Sequence, residues 1–487
     1  MKINFREKIH SRDATTFNDV ILLPGYTTIE PEEADVSTHL SKDFLLNLPF
    51  LSSPMDTVTE SEMAIALARL GGLGIIHRNC SIEEQIEMAK KLKRAESFVI
   101  SDVITITQNK TVEEASKLMK DKNIRGLPVI EKNNELIGIV TWRDVRFAEN
   151  ISKLLVKDVM TKKPDLVTAP KSISTDEALR LMHQHRIEKL PVTENGNLIG
   201  LITTKDLLLK GKFPLASRDP DGSLLCGAAI SPFDLDRAIG LAKIADILVT
   251  DVSHFHNKNC FDATKKLLKK IDVPLIVGNI GTYNAASDVI SKLEGVIGLR
   301  VGIGSGSICS TSVITRAGSP TLFATANCAD AVRDLGADLS IIADGGIKNP
   351  GDVAVAIAAG ASAVMMGNVF ARCKESPGEI IGIGGRYYKK YYGMGSAAAR
   401  SKRYSLDRYS QPSKGISEGV EGYVPYRGPL IDTINEIIAG LKAAMGYVGA
   451  ISIKEMWEKA QLARISAAGM RETNPHDIYL PDKSQSD

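Results

Sequence analysis

The stretch VGIGSGSICST, residues 301–311, sets three glycines at alternate positions (Gly302, Gly304 and Gly306) shortly before a cysteine, Cys309. Glycine admits positive φ and lets the backbone approach a ligand or ion closely, so a dense run of it ends a strand in an open loop. The residues leading in, Gly298-Leu299-Arg300-Val301, read as a short apolar strand. The stretch therefore presents a thiol at the carboxyl end of a strand, where reactive groups sit in α/β folds. Taken alone, the cysteine reads equally well as a small buried hydrophobe, the ordinary state of a free thiol.

The rest of the chain narrows the choice. Its 487 residues exceed one ordinary core and imply two or more domains. A hydrophobic content of 44% and a charged content of 24% are those of a globular protein. A net charge of +2 gives no electrostatic reason to expect nucleic acid or a membrane surface as partner. The opening MKINFREKIHSRD has no apolar signal core, and no apolar run is long enough to span a bilayer. Six scattered cysteines include no CxxC pair, so neither a zinc site nor a disulfide framework is expected. A cytoplasmic location follows as the expectation.

Two segments repeat at a spacing of roughly 63 residues, Thr111 to Val145 and Ser174 to Leu207. Leu127-Pro128-Val129 answers to Leu190-Pro191-Val192, and Ile137-Gly138 to Ile199-Gly200. Each copy reads as an amphipathic helix, a strand, a polar turn, a second strand, and Thr-x-x-Asp opening another helix. The pattern resembles the paired CBS motifs of a Bateman module, some of which bind adenine or guanine nucleotides. Residues 97–212 are expected to form this tandem insertion, splitting one catalytic domain into residues 1–96 and 213–487.

Outside the insertion, short apolar strands alternate with helical patterns. Strand ends fall at PFLSSPMD, GLGIIHRN, LLCGAAIS, DILVTDVSH, PLIVGNIG, GLRVGIGSG, SIIADGG and AVMMGN. Eight such units predict a (β/α)8 TIM barrel; no strand is followed by the GxGxxG of a doubly wound sheet. Phosphate commonly binds after strands seven and eight of such a barrel. There Gly345, Gly346 and Gly367 would offer backbone N–H groups, with Asn368 beside them as a side-chain donor. Asp344 would repel phosphate and fits better as an acceptor for ribose hydroxyls. Any one of these glycines also reads as a plain turn residue.

These motifs, with TTFNDVILLP, SSPMDTVTE, YYGMGS, DRYSQ and EGVEG, resemble the IMP dehydrogenase/GMP reductase family over nearly the whole chain. The resemblance implies NAD-dependent oxidation of IMP to XMP, with Cys309 as nucleophile on the purine. It implies that Ser53, Met55, Ser307, Asp344, Gly346, Gly367, Tyr391, Gly393, Met394, Gly395 and Glu418 hold IMP. Asp251, Ser253, Asn279, Gly302 and Gly304 would face the dinucleotide. Arg408 and Tyr409 would enter the site on a mobile flap to hydrolyse the covalent intermediate, with Thr311 orienting water. A potassium ion would sit on Gly304, Gly306 and Cys309, completed by Glu472, Thr473 and Asn474 of an adjacent subunit. A homotetramer is implied, pairing into octamers through the CBS modules where these associate.

Several positions depart from common family forms. Ser305, Ser312 and Asn368 stand where other residues are usual, and Phe255 replaces a usual glycine beside the expected dinucleotide loop. The large ring is expected to alter cofactor affinity. Two rival readings stay open: a GMP reductase, deaminating GMP with NADPH, and a nucleotide sensor whose barrel has lost catalysis.

Overall fold

The expected eight strands close into a parallel barrel. In chain order they are β1 (Phe50–Ser52), β2 (Leu73–Ile76), β3 (Gly227–Ile230), β4 (Ile247–Thr250), β5 (Leu275–Ile280), β6 (Val296–Val301), β7 (Ser340–Asp344) and β8 (Ala363–Met366). This computed structural model describes residues 13–95, 103–148, 150–204, 207, 211–402, 404, 407 and 417–478. Strand β8 pairs with β1, and β2 pairs with β3 through Gly227 opposite Ile75, so no barrel edge is left open. The strands read as continuous apolar runs because both faces are covered. Leu51, Leu73, Ile75, Val249, Ile276, Ile342 and Met365 belong to the interior cluster, to which the hairpin Thr38–Ser41/Phe44–Leu46 adds Leu40, Phe44 and Leu46.

The outer ring comprises α1 (Ser61–Leu70), α2 (Ile82–Arg94), α3 (Leu235–Ala242), α4 (Lys258–Leu268), α5 (Tyr283–Lys292), α6 (Thr321–Asp334), α7 (Pro350–Ala358) and α8 (Leu430–Val448). Their starts follow local chemistry. Asp234, Asn257, Thr282 and Asn349 each accept a backbone N–H with the side chain at the N-cap, and Pro350 follows Asn349 at the first helical position. An antiparallel sheet of Ile380–Ile383, Arg386–Tyr392 and Glu421–Pro425 is inserted between β8 and α8. It carries Tyr391 and the ends of the segment around Glu418.

The chain divides into two compact units, one of residues 1–93, 215–217 and 225–487, the other of 94–214 with 218–224. The second unit contains two copies of one arrangement. Helix Val112–Asp121 precedes strands Gly126–Ile130 and Leu136–Thr141; helix Thr175–His185 precedes Lys189–Glu194 and Asn197–Thr203. Both helices open on a capping box, Thr111 with Glu114 and Ser174 with Glu177. The copies meet where Leu136 N–H donates to Gly196 O at 3.1 Å. No helix of the described residues is long and apolar enough to cross a membrane.

Helix α1 lies so close to β2 that a Cβ on Gly74 would come within 2.4 Å of Ala64 Cα. Gly74→Ala is therefore expected to destabilise the barrel by about 1–3 kcal/mol, read as a lowered unfolding midpoint. Gly382→Ala, where a Cβ would meet nothing within 4 Å, is the near-neutral control.

Candidate active site

The loops at the carboxyl ends of the strands enclose a cleft of about 980 Å³. It gathers Ser53 and Met55 after β1, Asp251 and Ser253 after β4, and Asn279 from β5. The loop after β6 adds Gly302, Gly304, Gly306, Ser307, Cys309 and Thr311. Strand β7 and the turn after β8 add Asp344, Gly345, Gly346, Gly367 and Asn368; Tyr391, Gly393, Met394, Gly395, Glu418 and Asn474 complete the wall. Glu472 and Thr473 do not line the cleft, and Thr473 spends its hydroxyl on Met470 O at 2.9 Å. Arg408 and Tyr409 lie outside the described residues.

The glycine loop has the conformation its composition predicts, with φ of +117° at Gly302 and +82° at Gly304. It folds so tightly that a Cβ on Gly304 would come within 2.1 Å of Ser312 Oγ. Cys309 N–H closes a turn on Gly306 O at 2.9 Å, and Val420 N–H holds Ile308 O at 3.0 Å. The thiol donates to Thr311 Oγ1 at 3.2 Å, and that hydroxyl donates to Glu418 Oε2 at 2.9 Å. A thiol, a hydroxyl and a carboxylate thus form one chain along which a proton can pass. Cys309 is the only one of the six free cysteines that is not buried. Burial pushes Cys226 and Cys328 up to about 12, and Cys80, Cys260 and Cys373 up to about 11, which keeps those five protonated and unreactive at neutral pH.

Beneath the cleft runs a belt of charge that the sequence reading did not single out. Arg300, on the apolar strand β6, is buried between two carboxylates: Nη1 donates to Asp251 Oδ1 at 3.0 Å and Nε to Asp344 Oδ2 at 2.8 Å. Burial alone would lower its pKa; Asp344 and Asp251 more than offset this and hold it above the ordinary arginine value. Asn279 Nδ2 donates to the same Asp344 oxygen at 2.8 Å and to Gly302 O at 2.9 Å. Arg78, wholly buried after β2, donates to the Asp251 carbonyl at 3.0 Å and to Asp407 Oδ1 at 2.7 Å. Asp407 directly precedes the expected flap pair in sequence. The available signal was a charged residue within an apolar strand.

At the opposite end, Ser307, Asn368, Tyr391 and Arg372 converge. Asn368 Nδ2 donates to Ser307 Oγ at 3.1 Å, and Arg372 Nε donates to Asn368 Oδ1 at 2.9 Å. Burial raises the Tyr391 pKa, so the phenol stays neutral as a donor. A second cavity of about 810 Å³ shares Ser253, Ile303, Thr311 and Glu418 with the first and extends to His254, Asn257 and Gly281. Phe255 lines neither cavity. Its ring is wholly buried, with its centroid 5.5 Å from that of Phe261, so it packs in the core beside the loop that carries Ser253. Among the described residues, no group of three or more His, Cys, Asp or Glu is placed to hold a metal ion. Any cation here would rest on carbonyl oxygens, as the glycine loop can offer.

Alkylation with iodoacetamide at neutral pH is expected to label one thiol; peptide mapping should find it at Cys309, and Cys309→Ser should abolish it. Labelling spread over several cysteines would contradict the burial argument. Arg300→Met leaves the buried Asp251 with the more distant Arg78 and the cleft-lining Asp344 with no cation among the described residues, and a loss of about 3–5 kcal/mol is expected. Denaturant unfolding of the variant against the parent measures it.

The profile of the IMP dehydrogenase / GMP reductase domain matches residues 14–476. An inosine-5'-monophosphate dehydrogenase of Korarchaeum cryptofilum is 57% identical over 471 residues, covering 96% of this chain and 98% of the relative. The enzyme of that name from Methanocaldococcus jannaschii is 46% identical, covering 98% of each. Among solved structures, a cysteine-to-alanine variant of the GMP reductase of Trypanosoma brucei, in complex with guanosine 5'-monophosphate, superposes with a TM-score of 0.86 at 36% identity, covering 98% of this chain and 100% of that one. A match of this extent in sequence and fold makes the chain a member of the IMP dehydrogenase/GMP reductase family.

Proposed function

We propose that this protein oxidises IMP to XMP with NAD+ in guanine nucleotide synthesis: IMP, NAD+ and water become XMP, NADH and a proton. The observation that carries the reading is the Cys309–Thr311–Glu418 chain at the junction of two cavities, in a chain whose curated relatives bear the dehydrogenase name. The Cys309 sulfur adds to carbon 2 of the purine and makes that carbon tetrahedral, which eases departure of its hydrogen as hydride. NAD+, when bound, accepts that hydride. The resulting thioimidate is then hydrolysed, and Arg408 with Tyr409 supplies the base function while Thr311 orients the water.

The second cavity suits a dinucleotide: it reaches Thr311, the hydroxyl partner of the thiol, and its mostly apolar wall carries a few polar groups such as Ser253 and Asn257. Gly304, Gly306 and Cys309 carbonyls would hold potassium; Gly306 O already accepts the Cys309 N–H and retains its second lone pair. Of the three C-terminal candidates, Asn474 is the one that lines the cleft. Residues 97–212 serve as a CBS pair that binds adenine or guanine nucleotides, and the working assembly is a cytoplasmic homotetramer. The likeness to a solved GMP reductase favours a second reading, in which the same cysteine site releases ammonia from GMP with NADPH as reductant.

Purified protein with IMP, NAD+ and potassium should generate absorbance at 340 nm, and Cys309→Ala should lower the rate by about three orders of magnitude or more. NADPH consumption with GMP, in place of NADH formation with IMP, would establish the reductase. Silence in both assays would rule out either activity.

A further inference from the structure

The phosphate end of the cleft contains a cation without a counter-ion. Arg372 is half-buried at the carboxyl end of the short helix Asn368–Ala371 and lines the cleft. Only its Nε is occupied, by Asn368 Oδ1 at 2.9 Å; among the described residues no carboxylate lies within ion-pair distance. Its neighbour Arg427, joined to it by a backbone hydrogen bond from Arg427 N to Arg372 O at 2.9 Å, differs: Nη1 lies 3.6 Å from Glu436. Burial, and then the Arg427 charge, lower the Arg372 pKa, which is the direction expected of a cation that no carboxylate offsets.

Asn368 is committed at both ends of its amide, to Arg372 through oxygen and to Ser307 through nitrogen. Its oxygen and one amide N–H are thus taken, and one N–H is left for a ligand. What it does is fix the guanidinium plane and the Ser307 hydroxyl relative to one another. A planar, weakly hydrated guanidinium with its two terminal nitrogens unoccupied matches two phosphate oxygens at once.

We propose that Arg372 is the residue that selects for the substrate's 5'-phosphate, pairing with the phosphate dianion while Asn368 acts as its positioning residue. The proposal rests on the cleft being a nucleotide site and deepens that reading. It makes recognition ionic, added to the backbone N–H groups and hydroxyls of Ser307 and Tyr391.

The test is calorimetric binding of IMP and of inosine, which lacks the phosphate, to the full-length protein. Arg372→Gln is expected to weaken IMP by about 10–100-fold and to leave inosine affinity unchanged. Arg372→Lys, which keeps the charge and loses the fork, should fall between; Asn368→Ala should cost about 3–10-fold, again for IMP alone. IMP binding within about twofold of the parent in Arg372→Gln, or an equal loss for inosine, overturns the proposal. Should that variant not fold, the parent decides: IMP affinity falling with added NaCl while inosine affinity holds supports an ionic contact, and salt-independent IMP binding overturns it. The 340 nm assay is separate. Absent turnover with phosphate selectivity retained would defeat the dehydrogenase reading and leave Arg372's role standing.

Discussion

The site depends on one buried cation. Arg300 reaches from the end of β6 to Asp251 beyond β4 and to Asp344 on β7, and Asn279 on β5 joins the same Asp344 oxygen. Four successive strand ends are thereby tied in register by side chains, above the level where backbone pairing stops. Asp251 is wholly buried and Arg300 nearly so, which makes the belt expensive to leave incomplete: an isolated ion there would cost several kcal/mol. Alternation of sign from Asp344 through Arg300, Asp251 and Arg78 to Asp407 resolves this. It also leaves one acceptor open to the cleft: Asp344 Oδ2 is held by Arg300 and Asn279, while Oδ1 has no partner among the described residues.

The same belt shows why the fold was more legible than the site. Strand ends announced themselves through apolar runs halted by glycine or by polar residues, and all eight closed as the alternation predicted. Asp344, Gly345, Gly346 and Gly367 were legible as barrel loops, whereas Ser53, Tyr391 and Glu418 were named only through the family resemblance; all of them line one cleft. Arg300 was not legible, since a single charge within GLRVG reads as a tolerated interruption of an apolar strand, and its two partners stand 49 and 44 residues away. Arg372 escaped for a similar reason: it follows a helix, where a cation ordinarily faces solvent. Phe255, a ring next to a ligand loop in sequence, turns inward to Phe261.

Reactivity at Cys309 comes from exclusion as much as from activation. Five thiols are kept inert by burial, and the sixth sits on a loop that only glycine permits, anchored by Val420 N–H on Ile308 O. The anchor comes from the strand-bound segment that also carries Glu418. The position of the thiol and that of the Glu418 carboxylate are therefore set by one and the same segment.

Charge is also sorted along the cleft, and this sorting gives the site a direction. Unbalanced positive charge lies at Arg372, beside Ser307 and Tyr391; carboxylates lie at Asp344 and Glu418, toward the ribose and base. Under the proposed function, a nucleotide entering with its phosphate toward Arg372 would meet attraction there and leave its neutral purine toward Cys309 and Glu418. The reversed nucleotide would forfeit that attraction and press a dianion against Glu418. At an effective dielectric near 20, each contact between unit charges about 4 Å apart is worth about 4 kcal/mol, so the two orientations differ by more than hydrogen bonding alone could supply. Under the proposed function, that orientation is the one in which carbon 2 of the purine faces the Cys309 sulfur, so electrostatic sorting and the proposed chemistry ask for the same pose.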